Sequence, residues 1–150
     1  MREKATKELE ELLEDMKPEE IGTYLKTNQS YLADAKKSFY YYMKDVLESK
    51  SILLKDVYVA AGVSESYGGK ILSMEKHTKN RDLILRLCIG GHFLLDEINR
   101  ALKLYGMSPL YAKDPRDACL IVAINNRKYE LFEIDDLLES QGFEKLSPKE

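Results

Sequence analysis

The sequence of 150 residues predicts an all-α protein. Three observations support this prediction. Apolar residues recur at intervals of three and four along most of the chain, as on one face of a helix. Serine or aspartate precedes several of these segments and glycine follows several of them, which is typical of helix ends. No segment has the strict alternation of apolar and polar residues that indicates a strand.

The N-terminal part of the chain should contain two short helices and one longer helix. The first covers residues 5–16, and the second begins at Pro18, because proline is favoured at a first helical position. Ser30 is the expected cap of the longer helix, which runs to about Ser49. The inward-facing residues of the two short helices should be Leu9, Leu12, Leu13, Met16, Ile21, Tyr24 and Leu25. The apolar stripe of the longer helix consists of Leu32, Ala35, Phe39, Tyr42, Met43 and Val46.

The middle of the chain predicts four more helices, at about 52–61, 65–75, 81–90 and 94–105. Gly62 and Gly106 end the first and the last of these, and Ser64 caps the second. In the first of them, the residues expected to face inward are Leu53, Val57, Ala60 and Ala61.

Two helices should complete the fold. Asp114 is the expected cap of the first, with Pro115 at its first position. This helix covers residues 115–125 and is apolar on all sides, so Leu120, Ile121 and Ile124 should be buried. The segment ELFEIDDLLESQG forms the last helix, which ends at Gly142.

The bulk composition predicts a cytoplasmic protein. No apolar run is long enough to span a bilayer, and the acidic N-terminal segment has no signal-peptide core. Cys88 and Cys119 should be reduced core thiols. The net charge is −3, but its distribution is uneven. Residues 35–82 carry nine Lys/Arg and six Asp/Glu, whereas residues 1–34 carry five and nine. A basic excess in one segment is typical of a nucleic-acid-binding surface.

The segment LKDVYVAAGVSESYGGKIL, residues 54–72, predicts the function. A short helix, a glycine turn, a serine cap and a second short helix are the parts of a helix-turn-helix, in which the two helices meet at a steep angle. Gly62 permits the positive φ of the turn, and Val63 fills its corner. The exposed N-terminal end of the second helix is suited to phosphates and base edges.

The stretch from about Phe39 to Leu104 resembles the lambda-repressor-like (XRE-type) family of bacterial transcriptional regulators, and especially a Gram-positive subgroup of it. The residues that carry the resemblance are SESYGGKILS, HTKNRDLILRLCIGG and DEINRALKLYGMSPLY, followed by the capped Arg116–Asp117 pair. The resemblance implies a five-helix core, binding of double-stranded DNA through the helix at 65–75, and a homodimer. It also implies that the DNA contacts come from Lys55, Ser64, Ser66, Tyr67, Lys70, Lys76 and Lys79.

Three residues depart from the family pattern, namely Tyr58, Gly68 and Glu65. The position of Tyr58 is usually small, because the two helices cross there, and the facing residue in this chain is Gly68. A large residue on one helix opposite a small one on the other should preserve the packing of the crossing. Glu65, at the start of the second helix, would repel a phosphate.

The sequence therefore predicts an N-terminal acidic helical extension at 1–29, a DNA-binding domain at 30–112 and a C-terminal helical segment at 113–150 that packs on it. It offers no catalytic constellation, no metal-ligand spacing and no cofactor motif, so we do not expect an enzyme. The alternative function is a protein-protein interaction adaptor that keeps the helix-turn-helix fold without binding DNA.

Overall fold

The computed structural model describes residues 6–27 and 37–148, and every regular element within these ranges is helical. The helices are α1 (Thr6–Glu14), α2 (Ile21–Thr27), α3 (Ser38–Ser49), α4 (Leu54–Ala61), α5 (Glu65–Leu72), α6 (Arg81–Gly90), α7 (Leu95–Leu104), α8 (Pro115–Asn125) and α9 (Leu131–Ser140), and a 3-10 helix at Pro18–Glu20 precedes α2. None of these helices is long and apolar enough to cross a membrane. The all-α prediction is confirmed at this level.

The chain divides into two compact units, residues 1–35 and 36–150. In the smaller unit, Tyr24 is buried as predicted, and Leu9 and Met16 are half-buried. Four other positions that were predicted to face inward are 43–50% exposed, namely Leu12, Leu13, Ile21 and Leu25. Two helices of nine and seven residues offer too little surface to enclose both apolar stripes. The predicted cap Ser30, with Leu32 and Ala35, lies outside the described residues.

Helix α6 is the centre of the larger unit. All eight residues from Leu83 to Gly90 are buried, and the helix packs against α4 and α7. Its first turn is capped by Asn80, whose side-chain oxygen accepts a hydrogen bond from the Leu83 N–H at 3.2 Å. Because α6 is surrounded, the elements around it are held in one arrangement through a single hydrophobic core.

Two predicted inward faces differ from the structure. Leu53 is 58% exposed because α4 begins at Leu54, so that Leu53 precedes the helix with extended backbone. Ala60 is exposed because the buried face of α4 is centred on Val57, Tyr58 and Ala61.

In α8, Leu120 and Ile124 are buried as predicted. Ile121, however, is only half-buried and Val122 is 55% exposed. The helix packs against α7 and α9 and keeps one side on the surface of the unit. The prediction that this helix is buried all round is therefore wrong.

A reciprocal pair of salt bridges joins the first turns of α6 and α8. Both terminal nitrogens of Arg81 contact the Asp117 carboxylate, at 2.8 and 2.9 Å. Both terminal nitrogens of Arg116 contact the Asp82 carboxylate, each at 3.0 Å. Burial alone would raise the pKa of Asp117, but hydrogen bonds from Arg81 and from the Tyr111 N–H hold that pKa below its usual value. These two bidentate salt bridges fix the position of α8 relative to α6.

Residues 144–148 form an irregular segment after α9, which we call the C-terminal strap. Arg116 donates to the carbonyl oxygens of residues 144 and 145, at 3.2 and 3.1 Å. Asp135 accepts hydrogen bonds from the backbone N–H of Leu146 at 2.8 Å and from the N–H and hydroxyl of Ser147. The Leu146 side chain is buried in the core, so polar contacts and apolar packing both hold the strap in place.

Arg86 links the strap to the end of α4. Its guanidinium is buried and donates to the carbonyl oxygen of Ala61 at 2.8 Å and to that of Leu146 at 3.1 Å. Pro148 lies against Gly62, where an added Cβ would be 3.2 Å from the Pro148 Cγ. The turn after α4 is therefore supported by the strap.

Candidate nucleic-acid interface

A tight turn joins α4 to α5. Gly62 follows the last residue of α4 with φ of 69°, in the left-handed region, and its N–H points to the carbonyl oxygens of Tyr58 and Val59. The N–H of Val63 also donates to the Tyr58 carbonyl, at 3.1 Å. These bonds satisfy the free carbonyls at the end of a helix, and they require the positive φ that glycine adopts without strain. The predicted role of Gly62 is confirmed.

Helix α5 begins immediately after this turn. Ser64 has extended backbone, and its hydroxyl accepts a hydrogen bond from the Tyr67 N–H at 3.1 Å, as predicted for a cap. Ile71 and Leu72 are buried and attach the helix to the core. The first turn of α5 is exposed to solvent.

Tyr58 and Gly68 face each other where α4 and α5 meet. A Cβ added at Gly68 would lie 2.6 Å from the Tyr58 Cδ1 and 2.7 Å from its Cε1, distances that real Cβ atoms do not show. The buried Tyr58 ring therefore occupies the space that a side chain at position 68 would fill. The predicted exchange of large and small residues is present in the structure.

The candidate contact residues of the two helices lie on the surface. Ser64, the cap of α5, is exposed, as are Ser66 and Tyr67 in the first turn of the helix, and Lys70 is half-buried one turn later. Lys55 is exposed in the first turn of α4.

The loop after α5, residues 73–80, carries Lys76 and Lys79, both exposed. The Lys76 N–H donates to the carbonyl oxygen of Lys70 at 3.0 Å, which turns the chain at the end of α5. The Thr78 N–H donates to the hydroxyl of Tyr105 at 2.9 Å. The His77 ring is stacked on the Tyr105 ring, with centroids 4.6 Å apart.

Four lysines give this region its positive charge. Within residues 6–27 and 37–148, no salt bridge involves the side chain of Lys55, Lys70, Lys76 or Lys79. Acidic side chains nevertheless lie among them, because residues 54–80 contain four lysines and three Asp/Glu. One of these acids, Glu65, is close enough to Tyr58 to add to the raised pKa that burial gives that phenol. Residues 54–80 therefore carry a net excess of one positive charge.

Tyr105 also belongs to this region, although the sequence did not indicate it. It follows α7, far from the helix-turn-helix segment along the chain, and it contacts the lysine-bearing loop through both its ring and its hydroxyl. As the last residue of the helix predicted at 94–105, followed by Gly106, it gave no indication of these contacts.

Other candidate sites in the described part of the chain would involve metal ligands or the two histidines. No group of three His, Cys, Asp or Glu side chains there could hold a metal ion. His77 and His92 are each stacked on a tyrosine ring, those of Tyr105 and Tyr129. Comparisons of the chain with models of protein families, with curated proteins and with solved structures found no match.

Proposed function

We propose that the protein is a DNA-binding transcriptional regulator with a lambda-repressor-like helix-turn-helix, in which α5 is the recognition helix. The observation that carries the proposal is the exposed, serine-capped start of α5, which follows a left-handed glycine turn. Four lysines without a salt bridge in the described residues lie on α5, on the loop after it and at the start of α4. A helix that leaves its first turn free can enter the major groove, while flanking cations contact the phosphates.

The candidate residues fall into two groups by their positions. Lys76 and Lys79 on the loop, and Lys55 at the start of α4, contact the phosphate backbone. Ser64, Ser66, Tyr67 and Lys70 face the groove from α5 and read base edges. Lys70 is suited to this because a lysine can donate hydrogen bonds to guanine in the major groove.

The proposal is tested with purified protein and genomic DNA fragments. We expect selection to enrich an operator whose affinity falls steeply as salt is raised, because lysine contacts release counterions from the phosphates. Lys76→Ala and Lys79→Ala should each weaken binding to all sequences and flatten the salt slope by about one unit. Tyr67→Ala and Lys70→Ala should reduce the preference for the operator over other sequences.

Lys113→Ala is a matched control, since Lys113 is an exposed lysine outside the candidate interface and should leave both properties unchanged. The regulator proposal fails if no sequence is enriched and duplex DNA is not retained at low salt. The exposed Glu65 and the small local charge excess would then favour the interaction adaptor.

We also propose that the regulator is a two-fold homodimer, the form in which such modules read two half-sites on one duplex. The exposed apolar side chain of Phe132 on α9, with 65% exposure, supports an interface on the C-terminal helices. We expect sedimentation at micromolar concentration to give a dimer, and Phe132→Asp to shift it toward monomer. A wild-type protein that sediments as a monomer with and without DNA contradicts this proposal.

A further inference from the structure

Tyr105 lies between the hydrophobic core and the loop at residues 73–80. Its side chain is 3% exposed. One side of its ring packs edge-on against Phe39 of α3, with centroids 4.7 Å apart and planes at 70°. His77 of the loop stacks on the same ring at 4.6 Å, with planes at 22°. The aromatic ring therefore attaches the loop to α3 through direct contacts.

The hydroxyl of Tyr105 adds a directional contact. It accepts a hydrogen bond of 2.9 Å from the Thr78 N–H, between the two loop lysines. Burial raises the pKa of Tyr105, more than the hydrogen bond from Thr78 lowers it, so the phenol stays neutral at physiological pH.

The other hydrogen bonds of the loop are local. The Lys76 N–H bonds to the end of α5, and the Asn80 N–H donates to the Thr78 hydroxyl at 3.0 Å. Local bonds shape the loop but do not fix its orientation relative to the rest of the unit. The contacts with Tyr105 join residues 27 and 28 positions apart in the sequence. Together with the half-buried Met74, which packs against the core, they anchor the loop to the rest of the unit.

We propose that Tyr105 is a positioning residue for phosphate binding, which holds the loop so that Lys76 and Lys79 face the DNA backbone. The inference rests on the proposed function. Its physical basis is the entropy of ordering, because a loop that is already oriented loses less conformational freedom when its lysines bind phosphates.

Tyr105→Phe tests the inference with little change to the core, since phenylalanine keeps the ring and removes the acceptor. Because it loses one hydrogen bond, Tyr105→Phe should bind duplex DNA with a roughly two- to tenfold lower affinity. The reduction should be the same for every DNA sequence. Tyr129→Phe is the matched control. Tyr129 stacks on His92 at 4.7 Å and donates to the Phe93 carbonyl at 3.1 Å, so it has similar contacts away from the loop, and its variant should keep full affinity.

A double-mutant cycle separates positioning from a general structural role. In a protein that carries Lys76→Ala and Lys79→Ala, the further change Tyr105→Phe should have no additional effect on affinity, because the side chains it orients are gone. Hydrogen exchange without DNA gives an independent readout. The Thr78 amide should exchange faster in Tyr105→Phe than in the wild type or Tyr129→Phe.

The outcomes distinguish this inference from the function on which it rests. Two results would overturn the role of Tyr105 while the regulator proposal stands, provided that the wild type binds duplex DNA. In the first, Tyr105→Phe keeps full affinity. In the second, the affinity that Tyr105→Phe loses adds fully to the affinity lost in the lysine variants. Unchanged exchange at Thr78 also overturns the role of Tyr105. If the wild type does not bind DNA, both proposals fail together.

Discussion

Gly68→Ala should lower the free energy of unfolding by about 1–3 kcal/mol, the usual cost of forcing an atom into a filled core. The added Cβ would lie 2.6 Å from the buried Tyr58 ring and 3.2 Å from the Val63 Cγ1. This loss should appear although alanine is favoured over glycine in a helix by up to about 1 kcal/mol. Urea unfolding followed by circular dichroism measures the effect.

Gly69→Ala is the control at the next position of the same helix. The nearest atom to an added Cβ there is the Tyr58 hydroxyl at 3.8 Å, an ordinary contact. We therefore expect Gly69→Ala to raise stability by up to about 1 kcal/mol, through helix propensity alone. Equal stabilities of the two variants would show that the Tyr58 ring yields to a methyl group, against the tight crossing described above.

Leu120→Ala should have a still larger effect, lowering the free energy of unfolding by roughly 2–5 kcal/mol. The Leu120 side chain has no exposed surface and belongs to the main core, so truncation removes buried apolar surface and leaves a cavity. The measurement is again the midpoint and slope of urea unfolding.

Val122→Ala provides the comparison within α8. Because Val122 is 55% exposed, its truncation should change stability by no more than about 0.5 kcal/mol. If Leu120→Ala and Val122→Ala lower the free energy of unfolding equally, the face of α8 that packs on α7 and α9 has been assigned wrongly.

Features that depend on neighbouring residues in the sequence were predicted well. Ser64 and Asp114 each cap a helix by accepting a hydrogen bond from the N–H three residues on, and Gly62 ends α4. Such bonds close within a few residues, so residue type and spacing are enough to specify them.

Exposure was predicted less well, as Leu12, Leu53 and Val122 demonstrate. Periodicity identifies the apolar face of a helix, but it does not say whether another element covers that face.

Contacts between distant parts of the chain could not be predicted from one sequence. The Arg81–Asp117 salt bridge joins residues 36 positions apart, and the Tyr105 hydroxyl meets a loop residue 27 positions away. Each of these residues also fits an ordinary surface or core role, so residue type alone does not reveal its partner. The positions of the candidate lysines on α4, α5 and the loop followed from local sequence, whereas the anchor of the loop required the folded chain.

The link between Arg86 and the C-terminal strap has a consequence for biosynthesis. Arg86 binds the carbonyl oxygens of Ala61 and Leu146, which are translated at very different times. Ala61 precedes Arg86 in the chain, whereas Leu146 follows Arg86 by 60 positions. A nascent chain leaves the ribosome from its N-terminus, so the helices around Gly62 emerge well before Leu146 and Pro148. Until those residues emerge, Arg86 lacks its second acceptor and the turn lacks its proline neighbour. The chain is therefore expected to complete this region only after residues 146–148 have been translated.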